Sequence, residues 1–301
     1  MTGFPGTPRR AGESSCKTTT ERTNNMPPSY RMLATDLDGT LFTTQGAVSP
    51  GNRDAIRRAT ERGIPIVLCS GRSPVEGVAA LGEELGLNYP GNCYICCSGA
   101  MLVDAASLKI LEGNYLPVDA AARLVWQAAS FPEDLRPQRI RLCTTKAVYY
   151  RSPTAERLYE ERFGLELLPL PEDLREIQGE ITKLLFLSDQ PNYAFDFISR
   201  MEPVCPPEAL GYIMPPSLAE YVGASARKGH AVAQLAARLG IPMEEVICVG
   251  DGFNDLSMIE EAGLGIAVRN AEEPVRQKAN LVLDASNDED AIQKIIDMFL
   301  L

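Results

Sequence analysis

Met32-Leu-Ala-Thr-Asp36-Leu-Asp38-Gly-Thr40-Leu41 is a short apolar run that closes on two acids one residue apart, then on Gly and Thr. Side chains at i and i+2 of a strand share a face, so a strand continued through this stretch would set both carboxylates side by side. A strand that ends and turns at Gly39 leaves one carboxylate at its carboxyl end, with the next acid hanging over it. In open α/β sheets ligands bind at that place. Two carboxylates held so close do not both ionise unaided, and a divalent cation is the usual relief. The plainer reading is a solvated Asp-Gly turn. These ten residues alone do not choose between the two, so the choice falls to the rest of the chain.

Downstream, Ser49-Pro50 opens a helix and Gly63 closes it, in the usual order of cap, first-turn proline and terminal glycine. Ile64 to Cys69 is a continuous apolar run, as expected of a strand buried on both faces, and it ends in Ser70-Gly71-Arg72. Ser73-Pro74 starts another helix, closed by Gly86. Cys93 to Cys97 is a third strand, followed by Ser98-Gly99-Ala100 and a hairpin of Met101–Val103 with Leu108–Leu111. The alternation predicts a parallel, doubly wound, Rossmann-like α/β sheet. The same pattern resumes near Ala226. Lys228 opens an Ala-rich helix to Gly240, and strand Val246–Val249 ends in Gly250-Asp251-Gly-Phe-Asn254-Asp255. Helix 254–262, strand Gly265–Val268, helix 272–279, strand Leu281–Leu283 and a last helix from Asp288 complete it.

Between these halves the pattern is mixed. Helix Val118–Ala129 carries the only Trp, Trp126, and Arg139–Thr144 with Ala147–Arg151 reads as an antiparallel pair. Helix Pro153–Phe163, strand Ile181–Ser188, helix Pro191–Met201 and strands Gly211–Met214 and Leu218–Val222 follow. The expected organisation is a discontinuous core, 30–113 and 222–301, with an α+β domain inserted over 114–221. Residues 1–29, rich in Thr, Ser, Pro and Gly, read as a disordered tail.

Of 301 residues 45% are hydrophobic, enough for a full core, and the apolar runs are strand-sized, which predicts no membrane span. A net charge of −11 argues against nucleic-acid binding and would repel phosphorylated ligands, so a site for them must be locally positive. The 8 cysteines are scattered. Cys93-Tyr-Ile-Cys96-Cys97 lies in a strand pattern without a second pair at zinc-ribbon distance, and reads as structural. No secretory signal is visible, so a cytoplasmic location is expected. Arg9, Arg10, Lys17 and Arg22 point to an organelle transit peptide, against which Glu13 and Glu21 weigh.

Three strands far apart in sequence thus end in small polar clusters: Asp36/Asp38, Ser70-Gly71-Arg72 and Asp251/Asn254/Asp255, with Lys228 opening an intervening helix. In a doubly wound sheet these ends converge on one crevice. Acids, a hydroxyl, a lysine and flanking glycines suit Mg²⁺, which takes hard oxygen ligands, and a phosphoryl group. Asp36-Leu-Asp38-Gly-Thr40, Ser70-Gly71-Arg72, Lys228-Gly229 and Gly250-Asp251-Gly-Phe-Asn254-Asp255 resemble, in order, the four motifs of the haloacid dehalogenase superfamily. The insert resembles the α/β cap of its Cof-type phosphatases, and the resemblance covers about residues 30–301.

The resemblance implies a Mg²⁺-dependent phosphatase of a small phosphorylated metabolite such as a sugar phosphate or phosphorylated cofactor. Asp36 would be the nucleophile, forming an aspartyl-phosphate, and Asp38 the general acid and then base, its main-chain carbonyl also ligating Mg²⁺. Ser70, with the turn at Gly71, would hold the phosphoryl group and Lys228 would neutralise it. Asp251 would ligate the metal, Asp255 would hold it or its waters, and Asn254 would orient Lys228 or the phosphoryl oxygens. Arg72 would touch substrate or pair with an acid, and Lys183 on a cap strand would contact substrate or pair structurally. His230 receives no role. Ser98 stands where the subfamily commonly has Asn, which makes any substrate contact there shorter and weaker. A phosphomutase and a phospho-acceptor regulatory domain are the alternatives, as a monomer or homodimer. Receivers lack an acid two residues after the nucleophile, so Asp38 favours turnover.

Overall fold

A computed structural model describes residues 29–151, 167–214 and 217–301. The helix expected over Pro153–Phe163 lies outside the described residues, as does nearly all of the expected tail.

Strand β1 (Met32–Thr35) is fully buried and stands mid-sheet. On one side it pairs in parallel with β2 (Ile66–Cys69), which pairs with β3 (Cys93–Cys96); antiparallel β4 (Met101–Asp104) and β5 (Ile110–Gly113) finish that edge. On the other it pairs in parallel with β12 (Val246–Gly250), followed by β13 (Leu264–Ala267) and β14 (Leu281–Val282). The sheet order is β14-β13-β12-β1-β2-β3-β4-β5, so chain direction across the sheet reverses at β1. A crevice opens at such a switch point, beyond the carboxyl ends of the strands.

Helices α1 (Pro50–Glu61) and α2 (Val78–Glu84) connect the first strands, and the Ser49 hydroxyl caps α1 by accepting from the Asn52 N–H. The other half of the sheet carries α5 (Lys228–Leu239), α6 (Leu256–Glu261), α7 (Glu273–Lys278) and α8 (Ala291–Phe299). Two apolar clusters sandwich the sheet, one containing Leu33, Ile56, Leu68 and Ile292, the other Met32, Val67, Val232 and Leu235. Alternate residues of each strand feed opposite layers, and this is why their sequences are apolar throughout rather than alternating.

The segment between β5 and β12 builds its own six-stranded sheet, ordered β10-β11-β9-β6-β7-β8. Its strands are β6 (Arg139–Thr144), β7 (Val148–Arg151), β8 (Leu167–Pro169), β9 (Ile181–Leu187), β10 (Ala209–Met214) and β11 (Leu218–Gly223). Helices α3 (Val118–Ala129) and α4 (Tyr193–Met201) cover one face around Phe186, Phe197 and Tyr221. Trp126 is 72% exposed and takes no part in that core.

Several element ends differ from expectation. The helix expected from Ser73-Pro74 is broken, because Pro74–Glu76 forms only a short turn, Gly77 has φ +102 and α2 begins at Val78. The last helix begins at Ala291 rather than Asp288, because Asp290 has φ +54 and the Asp288 carboxylate is held by the Thr44 N–H at 2.8 Å. Helix 254–262 starts as a tight turn at Phe253–Asp255 and becomes α-helical at Leu256. Leu108 stays outside β5, with φ +56. The described cysteines form no disulfide, and Cys93, Cys96 and Cys97 are buried in or beside β3.

Candidate active site

After β1 the chain does not extend further. Gly39, at φ +84, reverses it in a wide turn over Leu37–Leu41. A Cβ at Gly39 would lie 2.3 Å from Asp251 Oδ2, so position 39 excludes a side chain on two grounds: its φ and the close approach. This turn sends Asp36 and Asp38 to different surroundings. Asp36 is buried; Asp38 is exposed, and its carboxylate takes a two-pronged contact from the Arg72 guanidinium, with Nε donating to Oδ2 at 2.8 Å. Arg72 also lies over the Phe42 ring, 5.4 Å from its centroid. Of the two roles open to Arg72, the structure shows the acid pairing.

Asp36, Asp251 and Asp255 come together, each offering a carboxylate oxygen within 4.8 Å of the others. The Asp38 side chain stands outside that group. The first residue of α5, Lys228, is fully buried between them and donates to Asp36 Oδ1 at 2.5 Å and to Asp255 Oδ1 at 2.6 Å. The other oxygen of Asp255 accepts the N–H groups of Asp251 and Gly252, both at 2.9 Å, so this residue fixes the turn that presents Asp251. A Cβ at Gly250 would strike the Asp255 carboxylate at 2.5 Å, which explains the glycine that ends β12. Thr40, fully buried, donates from Oγ1 to Asp251 Oδ1 at 2.7 Å.

Three acids against one ammonium leave the group over-supplied with negative charge. Burial pushes the Asp36 carboxyl well above its usual range; Lys228 opposes this, and Asp255 and Asp251 add to it. Asp251 is pushed up to about 7, by burial first and by Asp255, against the Thr40 hydrogen bond and Lys228. Burial pulls the Lys228 ammonium down, but Asp255 and Asp36 outweigh it and hold the group above its ordinary range. An all-oxygen donor set with excess negative charge fits a hard divalent cation.

Ser70 is buried, and its Oγ accepts the Arg72 N–H at 3.1 Å, closing the turn through Gly71 after β2. Asn254 does not reach Lys228. Its Nδ2 donates to Ser98 Oγ at 3.2 Å, and Ser98 Oγ donates in turn to Glu220 Oε1 on β11 at 2.6 Å. Ser98 is fully buried at φ +55 and its hydroxyl serves this chain of contacts from core to cap. A left-handed backbone favours Asn over most residues, and Ser occupies it here. Lys183 on β9 donates to the Gly71 carbonyl at 2.9 Å and to Glu76 Oε2 at 3.1 Å, a buried pairing. His230 is exposed on α5. A cavity of about 390 Å³ lies between Asp36, Asp38, Asp251 and the cap sheet.

Thr40, Glu76 and Glu220 had no part in the sequence-based site. Thr40 sits inside the decisive stretch, and Glu220 is a lone acid in the apolar strand Leu218-Ala-Glu-Tyr-Val222, which is the signal that marks it. Glu76 closes a Ser73-Pro-Val-Glu76 capping box, a signal for a helix start rather than for a site.

Residues 33–296 match the family model for haloacid dehalogenase-like hydrolases. The chain is 30% identical over 275 residues to the putative phosphatase YxeH of Bacillus subtilis, covering 90% of this chain and 99% of that protein. It is 28% identical over 279 residues to the pyridoxal phosphate phosphatase YbhA of Escherichia coli, covering 88% and 97%. The crystal structure of a haloacid dehalogenase-like hydrolase from Bacteroides thetaiotaomicron superposes with a TM-score of 0.73 at 27% identity, over 89% of this chain and 98% of that one. With four motifs around one crevice and matches that span nearly its whole length, the chain belongs to the haloacid dehalogenase-like hydrolase family, within its Cof-type phosphatases.

Proposed function

We propose that this protein hydrolyses a small phosphorylated metabolite through an aspartyl-phosphate on Asp36, with Mg²⁺ as cofactor. The observation that carries this reading is the meeting of Asp36, Asp251, Asp255 and Lys228 at the switch point of the sheet, beneath a cavity roofed by the cap. The names of the relatives support a phosphoric monoester as substrate.

With Asp36 Oδ1 held by Lys228, Oδ2 is the oxygen that attacks phosphorus. The bond from phosphorus to the ester oxygen breaks, and Asp38, swung from Arg72, protonates the leaving alcohol. Asp38 then takes a proton from water, which attacks the acyl phosphate and returns Asp36 and inorganic phosphate. Ser70 Oγ and the N–H groups of the Gly71 turn bind the phosphoryl oxygens, and Lys228 balances charge on Asp36 as it is consumed. The carboxylates of Asp36, Asp251 and Asp255 with the Asp38 main-chain carbonyl would hold Mg²⁺. When bound, the ion supplies positive charge for the phosphoryl oxygens. Asp38 at the rim, and a cap above it, favour turnover over storage of a phosphoryl group.

Phosphate release from a panel of phosphomonoesters tests the proposal. Release is expected in Mg²⁺ and its loss in EDTA, with recovery on adding Mg²⁺ back. Release that persists undiminished in EDTA, or isomerised ester in place of free phosphate, contradicts it.

A further inference from the structure

Beyond β12 the last two parallel strands of the core sheet also run out into polar residues, and these hold the turn after β1. β13 leads into Val268-Arg-Asn270 and β14 into Ser286-Asn287. Asn270 donates from Nδ2 to the Gly39 carbonyl at 2.7 Å, and its Oδ1 accepts the Asn287 N–H at 2.9 Å. Asn287 is buried and donates in turn from Nδ2 to the Phe42 carbonyl at 2.9 Å. With its oxygen committed to a main-chain donor, the Asn270 amide can only present its nitrogen to Gly39. Two linked carboxamides thus grip the turn Leu37–Leu41 at its glycine and at the residue that follows it. Neither lines the catalytic cavity.

This turn has need of an outside hold. One bond closes it, from the Phe42 N–H to the Leu37 carbonyl at 2.8 Å, and within it Asp38 has an extended backbone, φ −79 and ψ 114. Gly39 has no side chain to restrict the peptides on either side of it. Asp38 therefore stands on the least constrained part of the loop. Its carboxylate is bound to Arg72 and has to leave that partner to reach a departing group. A side chain that swings from a loose main chain reaches the right place rarely, and a misplacement of about 1 Å costs up to about a hundredfold in rate.

Resting on the phosphatase reading above, we infer that Asn270 and Asn287 are positioning residues for Asp38. By holding the Gly39 and Phe42 carbonyls they fix the main chain from which Asp38 delivers its proton. That proton passes from the Asp38 carboxyl to the ester oxygen as the bond to phosphorus breaks. The asparagines exchange nothing with the substrate.

The test compares kcat/KM in saturating Mg²⁺ for phenyl phosphate and 4-nitrophenyl phosphate, esters of closely similar shape. Phenoxide leaves poorly without a proton, whereas 4-nitrophenoxide leaves readily without one. Asn270 is exposed, so in Asn270→Ala water replaces the amide and the far-UV circular dichroism should stay that of the parent. Its kcat/KM for phenyl phosphate is expected to fall by about tenfold more than that for the nitro ester. Asn287→Leu, which removes the donor to Phe42 and keeps the main-chain N–H, should shift the ratio in the same direction. In an Asp38→Asn background the acid is already gone, and adding Asn270→Ala should leave the ratio where it stands. Equal losses on the two esters in Asn270→Ala, or the same tenfold shift without Asp38, overturn the inference and leave the phosphatase reading standing. No phosphate from either ester with the parent protein overturns both.

Discussion

At the scale of single residues, each carboxylate of the candidate site has a different set of partners. Asp36 receives Lys228, Asp38 receives Arg72, Asp251 receives Thr40, and Asp255 receives the turn amides with Lys228. Thr40 does not line the pocket, yet its hydroxyl orients an oxygen of Asp251, one of the three acids that could hold a metal. Thr40→Val keeps the shape and removes that donor, so the Mg²⁺ affinity should fall by about tenfold, in line with other residues that orient metal ligands. Calorimetric titration of Mg²⁺ into both proteins checks it, and equal affinities would remove Thr40 from the site. Asp36 and Asp38 were legible as candidates only once the later strand-end clusters gave them partners, since their spacing alone reads equally well as a solvated Asp-Gly turn. The role of Thr40 was not, since its partner lies 211 positions away and a threonine after Asp-Gly has many uses. Asn254 was expected at Lys228 or at the phosphoryl oxygens, and its amide donates to Ser98, a contact set by side-chain reach in three dimensions.

Among the elements, the strands were the easiest to read. Buried parallel strands are unbroken apolar runs, and the polar residue that ends each run marks the crevice. The joins were harder. A left-handed Asp290 delays the last helix by a turn, and nothing in the local composition near Asp288 announces it. Contacts between elements were harder still. Lys183 of β9 and Glu76, which follows the turn after β2, form a buried pair 107 positions apart that bolts the cap to the core. Lys183→Met would leave the buried Glu76 charge without its ammonium, though still held by the Ser73 N–H, and should destabilise the protein by about 3 kcal/mol in urea unfolding. Adding Glu76→Leu should recover part of the loss, because both charges then leave together. A Lys183→Met protein as stable as the parent would show that the pair contributes nothing to closure.

For the whole molecule, topology does what no single motif does. Sheet order reverses at β1, so residues following β1, β2 and β12 meet although they are up to some two hundred positions apart. The second sheet lies over that meeting point and closes it with two polar links, Lys183 to Gly71 and Glu76 and Glu220 to Ser98. A chain of net charge −11 thereby presents a buried lysine between Asp36 and Asp255, and the excess of acid around it fits a divalent cation. Everything in the proposed mechanism turns on Asp36 as the attacking group. The most direct measurement is steady-state phosphate release by Asp36→Asn in saturating Mg²⁺, beside a parent protein shown to be equally folded by circular dichroism. The account predicts a fall in kcat of at least about a thousandfold, since in the proposed mechanism Asp36 alone forms the acyl phosphate. Mg²⁺-dependent turnover retained within tenfold of the parent would contradict it.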